Sequence, residues 1–194
     1  MRKIKNFKIH LRDREIERAL KTLMSVERLP EEFLQNLPEA LHFYSKSIRP
    51  SILYETFPKE SLNLEGKTDE KEILSKLTAK TVLFASVGKE LEEEYKKNET
   101  LYGSNTQEIV SSIAVEALQQ CRKFALRLIN AQAQEEDNEI LPAGEIASQN
   151  YEVLQKLLPI DKIDISLQNN LLIPKYSICE LLYWTSLKKK RQIK

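Results

Sequence analysis

The chain contains only four glycines, two cysteines, two histidines and one tryptophan among 194 residues. Four glycines cannot assemble a Gly-rich phosphate loop, which needs several positions without a Cβ inside a few residues. Cys121 and Cys179 are far apart in sequence. That separation leaves no disulfide framework and no Cys-x-x-Cys metal site, and it points to a reducing compartment. His10 and His42 have no cysteine or histidine within ligand spacing, so surface or helix-face positions suit them better than a metal site. No run of eighteen apolar residues occurs, and Met1–Lys5 is not followed by the apolar core of a signal peptide. The expectation is a cytoplasmic protein that does not engage membranes. An excess of one charge is also lacking. The formal net charge is +1, which generates no global field to draw the chain to nucleic acid or to an anionic lipid surface. The local exception is Lys188-Lys189-Lys190-Arg191, read as part of a solvated basic tail over residues 188–194.

What is present is a hydrophobic content of 41% beside a charged content of 30%, the balance of a globular chain with a heavily charged surface. The length allows one well-buried core. Residues 1–48, a strand and helices, are expected to join residues 49–187 in a single domain. No internal repeat or low-complexity segment interrupts it.

Phe7-Lys8-Ile9-His10-Leu11 alternates apolar with polar and reads as an opening strand. Asp13 stands at an N-cap position before Ile16, Leu20, Leu23 and Met24, the stripe of an amphipathic helix. Phe33, Leu37, Leu41 and Tyr44 form a second stripe opened by Pro30, and Pro38 predicts a kink or a division into two short helices. Residues 51–57 are rich in Ile, Tyr, Thr and Phe and read as a strand. Asp69 and Glu72 have capping-box spacing for a helix ending near Leu77. The apolar run Thr81–Val87, ending at Gly88, suits a central strand covered on both faces. A charged helix over 89–97 follows. The longest helical pattern runs from Gln107 to Ile129. Its stripe is Ile109, Ile113, Leu118, Cys121, Ala125 and Leu128, with Ala114 and Ala117 small enough for close approach to a sheet. Gln132–Asn138 reads as a surface loop.

The segment from Gly144 to Trp184 changes period several times. Tyr151, Leu154, Leu157 and Leu158 recur at helical spacing until Pro159. Ile163, Ile165 and Leu167 then alternate with polar residues as in a strand. Gln168-Asn169-Asn170 supplies turn chemistry, because short amide side chains tolerate the left-handed conformation. Leu171, Leu172 and Ile173 lead into Pro174, so a helix followed by a hairpin is expected.

No nucleophile stands beside a base in any recognisable motif, and a hydroxyl such as that of Ser86 or Ser177 is a weak nucleophile without one. The acidic run Glu90 with Glu92-Glu93-Glu94 fits a solvated helix face better than a pair of catalytic carboxylates. The residues taken by themselves define an α+β chain with no catalytic group and no metal ligand set.

The order of several short motifs resembles the activation (reactivation) domain of cobalamin-dependent methionine synthase, which in some bacteria also occurs as a small separate protein. The motifs are Arg49-Pro50 with Tyr54, Leu64-Glu65-Gly66-Lys67, Val82-Leu83-Phe84-Ala85-Ser86-Val87-Gly88, Pro142-Ala143-Gly144, Leu157-Leu158, Ile163-Asp164-Ile165-Ser166-Leu167 and Pro174-Lys175-Tyr176-Ser177-Ile178-Cys179. The likeness spans about residues 49 to 184. It implies an α+β fold in which helices surround a mostly antiparallel twisted sheet. It also implies an accessory role in a methyltransferase system, with S-adenosylmethionine as ligand and cobalamin carried by a partner. The implied partners are a corrinoid-binding domain or protein and an electron-donor protein. The family's glutamate on the long helix matches Glu116, between Val115 and Ala117. Its ligand loop matches Pro142, Ala143 and Gly144, but the loop's arginine and tyrosine are absent here and Glu145 follows. A missing guanidinium removes about 2 to 3 kcal/mol of charge-assisted bonding to a ligand carboxylate. The rival expectation is therefore an interaction module that keeps the scaffold without binding S-adenosylmethionine.

Overall fold

The computed structural model describes residues 1–62, 64 and 75–187. Five strands form one antiparallel sheet in the order β1-β2-β3-β7-β4. They are β1 (Arg2–Lys5), β2 (Ser51–Pro58), β3 (Leu77–Ser86), β4 (Asn138–Glu145) and β7 (Ser177–Ser186). A separate ribbon pairs β5 (Ser166–Gln168) with β6 (Leu171–Ile173). The helices are α1 (Asp13–Met24), α2 (Glu31–Tyr44), α3 (Glu90–Lys97), α4 (Thr106–Glu135) and α5 (Tyr151–Leu157).

The apolar run in β3 has the architecture its composition demands. Leu83 and Ala85 face one core; Val82 and Phe84, their neighbours along the strand, face the other. All four are fully buried, and each large one contributes about 1.5 to 3 kcal/mol by leaving water. The larger core lies between the sheet and α1, α2 and α4. The smaller one lies under α5 and the irregular segment around Ile160–Ile165. Strand β7 repeats the alternation: Leu182 and Trp184 face the helices, while Cys179, Leu181 and Tyr183 face the smaller core.

Helix α4 runs farther than its apolar stripe predicts, because residues 132–135 continue the helix rather than forming a loop. Ile109, Ile113, Ala114, Ala117, Cys121 and Ala125 are buried as expected, and Ile129 and Ala133 extend the same face. Helix α2 is one helix with Pro38 inside it. The bond lost at Pro38 would have used the carbonyl of Leu34, an exposed residue, where water replaces the missing partner.

The opening strand is displaced. It is Arg2–Lys5, paired with β2 from Arg2↔Tyr54 to Lys5↔Ser51. Asn6 then takes a left-handed φ of 55°, and its N–H donates to the carbonyl of Pro50 at 2.8 Å. This turn carries residues 7–11 off the sheet. Asp13 begins α1 without a side-chain capping bond, and Leu23 faces outward.

The hairpin read near residue 163 is also shorter than its alternation suggests. Ile163 ends a 3-10 turn, and Asp164 is left-handed, so pairing starts only at Ser166. Asn169 and Asn170 both have positive φ, as their amide chemistry favours. The helix expected between Asp69 and Leu77 lies outside the described residues, apart from Ser75 and Lys76, which are helical. Leu77 already opens β3. The turn at Glu65-Gly66-Lys67 and the basic tail also lie outside the described residues.

Candidate ligand site between the long helix and the sheet edge

Glu116 is on α4, on the side facing α1, and is only 3% exposed. Arg12, the residue just before α1, donates from Nε to Oε1 at 2.9 Å and from Nη2 to Oε2 at 3.4 Å. Gln120, one turn along α4, donates to Oε1 at 2.7 Å. A carboxylate this buried needs such partners, because an unpaired buried charge costs several kcal/mol. The bond to Glu116 in turn raises the pKa of the Arg12 guanidinium. Glu116 also lines a cleft of about 270 Å³ between α1 and α4, with Glu15, Arg18, Leu23 and Val115 among its walls.

Pro142, Ala143 and Gly144 lie within β4 rather than in a free loop. Pro142 pairs with Leu182 and Gly144 with Leu181, and the register shifts between them. Gly144 has φ 98°, a conformation that disfavours any side chain. Pro142 is tolerated because β4 is an edge strand. Ala143 is 1% exposed and belongs to the smaller core. Glu116 looks toward α1 on the helix-covered side of the sheet. Among the described residues its carboxylate bonds to Arg12 and Gln120, and its cleft contains none of residues 142–144.

A second charged pair, not anticipated from the sequence, crosses between α4 and the sheet. Arg122 Nε lies 2.7 and 2.8 Å from the two carboxylate oxygens of Glu180 on β7. Glu145 on β4 is the register partner of Glu180, so the two side chains share a face. Ser111 of α4 and Tyr176, the residue just before β7, share a hydrogen bond of 2.9 Å, and burial raises the pKa of the Tyr176 phenol. The available signal was Glu180 itself, a lone charge inside the apolar stretch from Ile178 to Trp184.

Both thiols are buried. Burial pushes Cys121 up to about 12 and Cys179 well above its ordinary value. Both folded-state values are raised, so the stability they contribute is fully present below the ordinary thiol range. It is lost as pH rises from about 9 toward about 12, where only the unfolded chain ionises readily. Tyr44, also raised to about 12 by burial, adds a loss in the same direction. Urea titrations are expected to show unfolding free energy falling steadily between pH 9 and 12. A thiol reagent at pH 8 should label both cysteines at least about tenfold faster in urea than in the folded protein. His10 and His42 are both exposed. Among the described residues, no three His, Cys, Asp or Glu groups converge as a metal site, and no helix is long and apolar enough to cross a membrane.

A five-stranded antiparallel sheet with a 30-residue helix across one face, and a small core beneath the other, defines an α+β class with an open sheet edge at β4. No protein-family model and no curated protein matches the sequence. Among solved structures, the chain is similar to the MetH reactivation domain, determined in complex with AdoHcy. The TM-score is 0.58 and the identity 10%, and the match covers 88% of this chain and 74% of that one. The fold class expected from the sequence is thus the one observed.

Proposed function

We propose that the chain is an accessory protein of a cobalamin-dependent methyltransferase of the methionine synthase kind. In this reading it docks over a corrinoid-bearing partner in the cytoplasm and supports reductive remethylation with S-adenosylmethionine, electrons coming from a separate donor protein. The observation that carries the reading is the fold likeness over 88% of the chain to a reactivation domain. The methyl group and the redox chemistry would come from the ligand, the corrinoid and the electron donor. The chain itself would contribute position and charge. It is a component of such a system rather than a self-sufficient enzyme.

Glu116 suits the ammonium or sulfonium of the ligand by charge, in the cleft it shares with α1; Pro142, Ala143 and Gly144 lie outside that cleft and would meet only a part of the ligand that reaches past it to β4. The ligand carboxylate has no guanidinium waiting on β4, and Glu145 beside Glu180 opposes it electrostatically.

A second reading has its own observation. Arg12 and Gln120 already occupy Glu116, as they would in an interaction module that keeps the scaffold and the docking and dispenses with the ligand. Calorimetry with S-adenosylmethionine separates the two readings. The first expects binding by the native protein that weakens at least about tenfold, or about 1.4 kcal/mol, in Glu116→Ala. Negligible heat in the native protein, in Glu116→Ala and in Arg12→Ala supports the second. Binding gained only in Arg12→Ala identifies Arg12 as the group occupying the ligand's place. Failure to copurify with a corrinoid protein under any condition removes both readings.

A further inference from the structure

Residues 7–11 have the alternating pattern of a strand but belong to no strand or helix, and no strand lies beside them among the described residues. Their burial alternates: Phe7, Ile9 and Leu11 are half-buried, while Lys8 and His10 are exposed. The three apolar side chains pack on the larger core, and Phe7 stacks on Phe124 with ring centroids 4.4 Å apart. Their backbone N–H and C=O groups make no hydrogen bond to any described residue. The last bond before them is from Asn6 to Pro50 and the first after them are to the carbonyl of Arg12. The left-handed Asn6, bonded to Pro50, turns the chain away from β2, so the strand pattern outlasts the sheet.

An open cleft of about 400 Å³ runs along this segment, closed on its far side by Leu41, Ser45, Ile48 and Pro50. Ile48 is buried and Leu41 half-buried, so the far wall is partly apolar. The titratable side chains lining the cleft are Lys8 and His10, and no acidic residue lines it.

We propose that this cleft is a strand-addition site, in which residues 7–11 pair with an extended segment of another protein whose side chains alternate between apolar and acidic. Each part of the occupant answers an observed feature. Unpaired backbone groups are the template that strand addition uses, and apolar anchoring of residues 7, 9 and 11 has already met the entropy cost of ordering them. The apolar wall receives alternate side chains of the incoming strand. Lys8 and His10 select acids over bases at the others. The inference does not rest on the proposed function.

Hydrogen exchange followed residue by residue tests it in the full chain. The probe is a capped ten-residue peptide of alternating Val and Glu at millimolar concentration. Its controls are the Val-Lys counterpart and a Val-Glu peptide N-methylated at alternate amides. In the free protein the amides of residues 7–11 should exchange at nearly the rate of an unstructured chain. With the Val-Glu peptide, alternate amides within 7–11 should slow at least tenfold, since every second N–H of a strand points to one neighbour. The N-methylated peptide should give no protection, and the double variant Lys8→Glu, His10→Glu should prefer the Val-Lys peptide. Protection of these amides in the free protein overturns the proposal, as does their indifference to the Val-Glu peptide or equal protection by the methylated one. Protection that grows with protein concentration without any peptide would make the occupant a second copy of this chain, and also overturns it.

Discussion

Trp184→Ala is expected to lower the unfolding free energy by about 3 to 5 kcal/mol, the range for deleting a large aromatic side chain from a packed core. Trp184 is 1% exposed and lies on β7, between β3 and β4, with its ring in the larger core beneath the helices. The loss has a polar part as well as a cavity. The indole Nε1 donates to Thr81 Oγ1 at 2.8 Å, and that hydroxyl is 2.7 Å from Thr56 Oγ1. Removing the indole leaves a buried hydroxyl pair short of one donor. Trp184→Phe retains most of the ring and loses the donor, so it should cost less than the alanine variant, about 1 to 3 kcal/mol for the unsatisfied acceptor plus a smaller void. The chain has one tryptophan, so the comparison is best read by urea unfolding followed by circular dichroism. Equal stability of Trp184→Ala and the native protein would mean that β7 does not occupy the centre of the core.

Arg122→Ala should cost about 3 kcal/mol, because it strands the carboxylate of Glu180 inside the protein. The Glu180 side chain is 12% exposed and that of Arg122 25%, so water reaches the pair only in part. Glu145 sharpens the effect, since it faces Glu180 across the strand pair and like charges directly opposite each other destabilise. The double variant Arg122→Met, Glu180→Met should recover most of the loss, as replacing both members of a partly buried pair by apolar groups is often close to neutral. A double-mutant cycle by urea unfolding measures the coupling. If Arg122→Met and Glu180→Met simply add in the cycle, the two side chains do not interact. The pair fixes α4 to β7 next to the sheet edge where Pro142 and Gly144 lie.

Elements with a single strong period were legible from residue order. The run Val82–Ala85 in β3 is apolar at every position because both its faces are covered, and the stripe of α4 recurs every three or four residues over its buried face. The amide pair Asn169-Asn170 announced its turn for the same local reason. Where the pattern and the observed element part, a long-range contact decides. Residues 7–11 alternate as well as any strand, but a hydrogen bond from Asn6 to Pro50 ends the pairing before they begin. Ile163 and Ile165 alternate too, but both are buried in the smaller core as part of a turn around the left-handed Asp164.

For the site, the sequence supplied the residue types and not their partners. Nothing near Glu116 in the chain names Arg12, which lies 104 residues away, and nothing near Arg122 names Glu180, 58 residues away. By itself the sequence determined the α+β class, the long helix with its apolar face and the central buried strand. These follow from local periodicity and composition, which each residue carries with it. Tertiary structure alone decided which charges meet, that the Pro142–Gly144 segment is an edge strand, and that residues 7–11 are left without a partner. Those outcomes depend on how two distant stretches are packed against each other, and packing is a property of the pair rather than of either stretch.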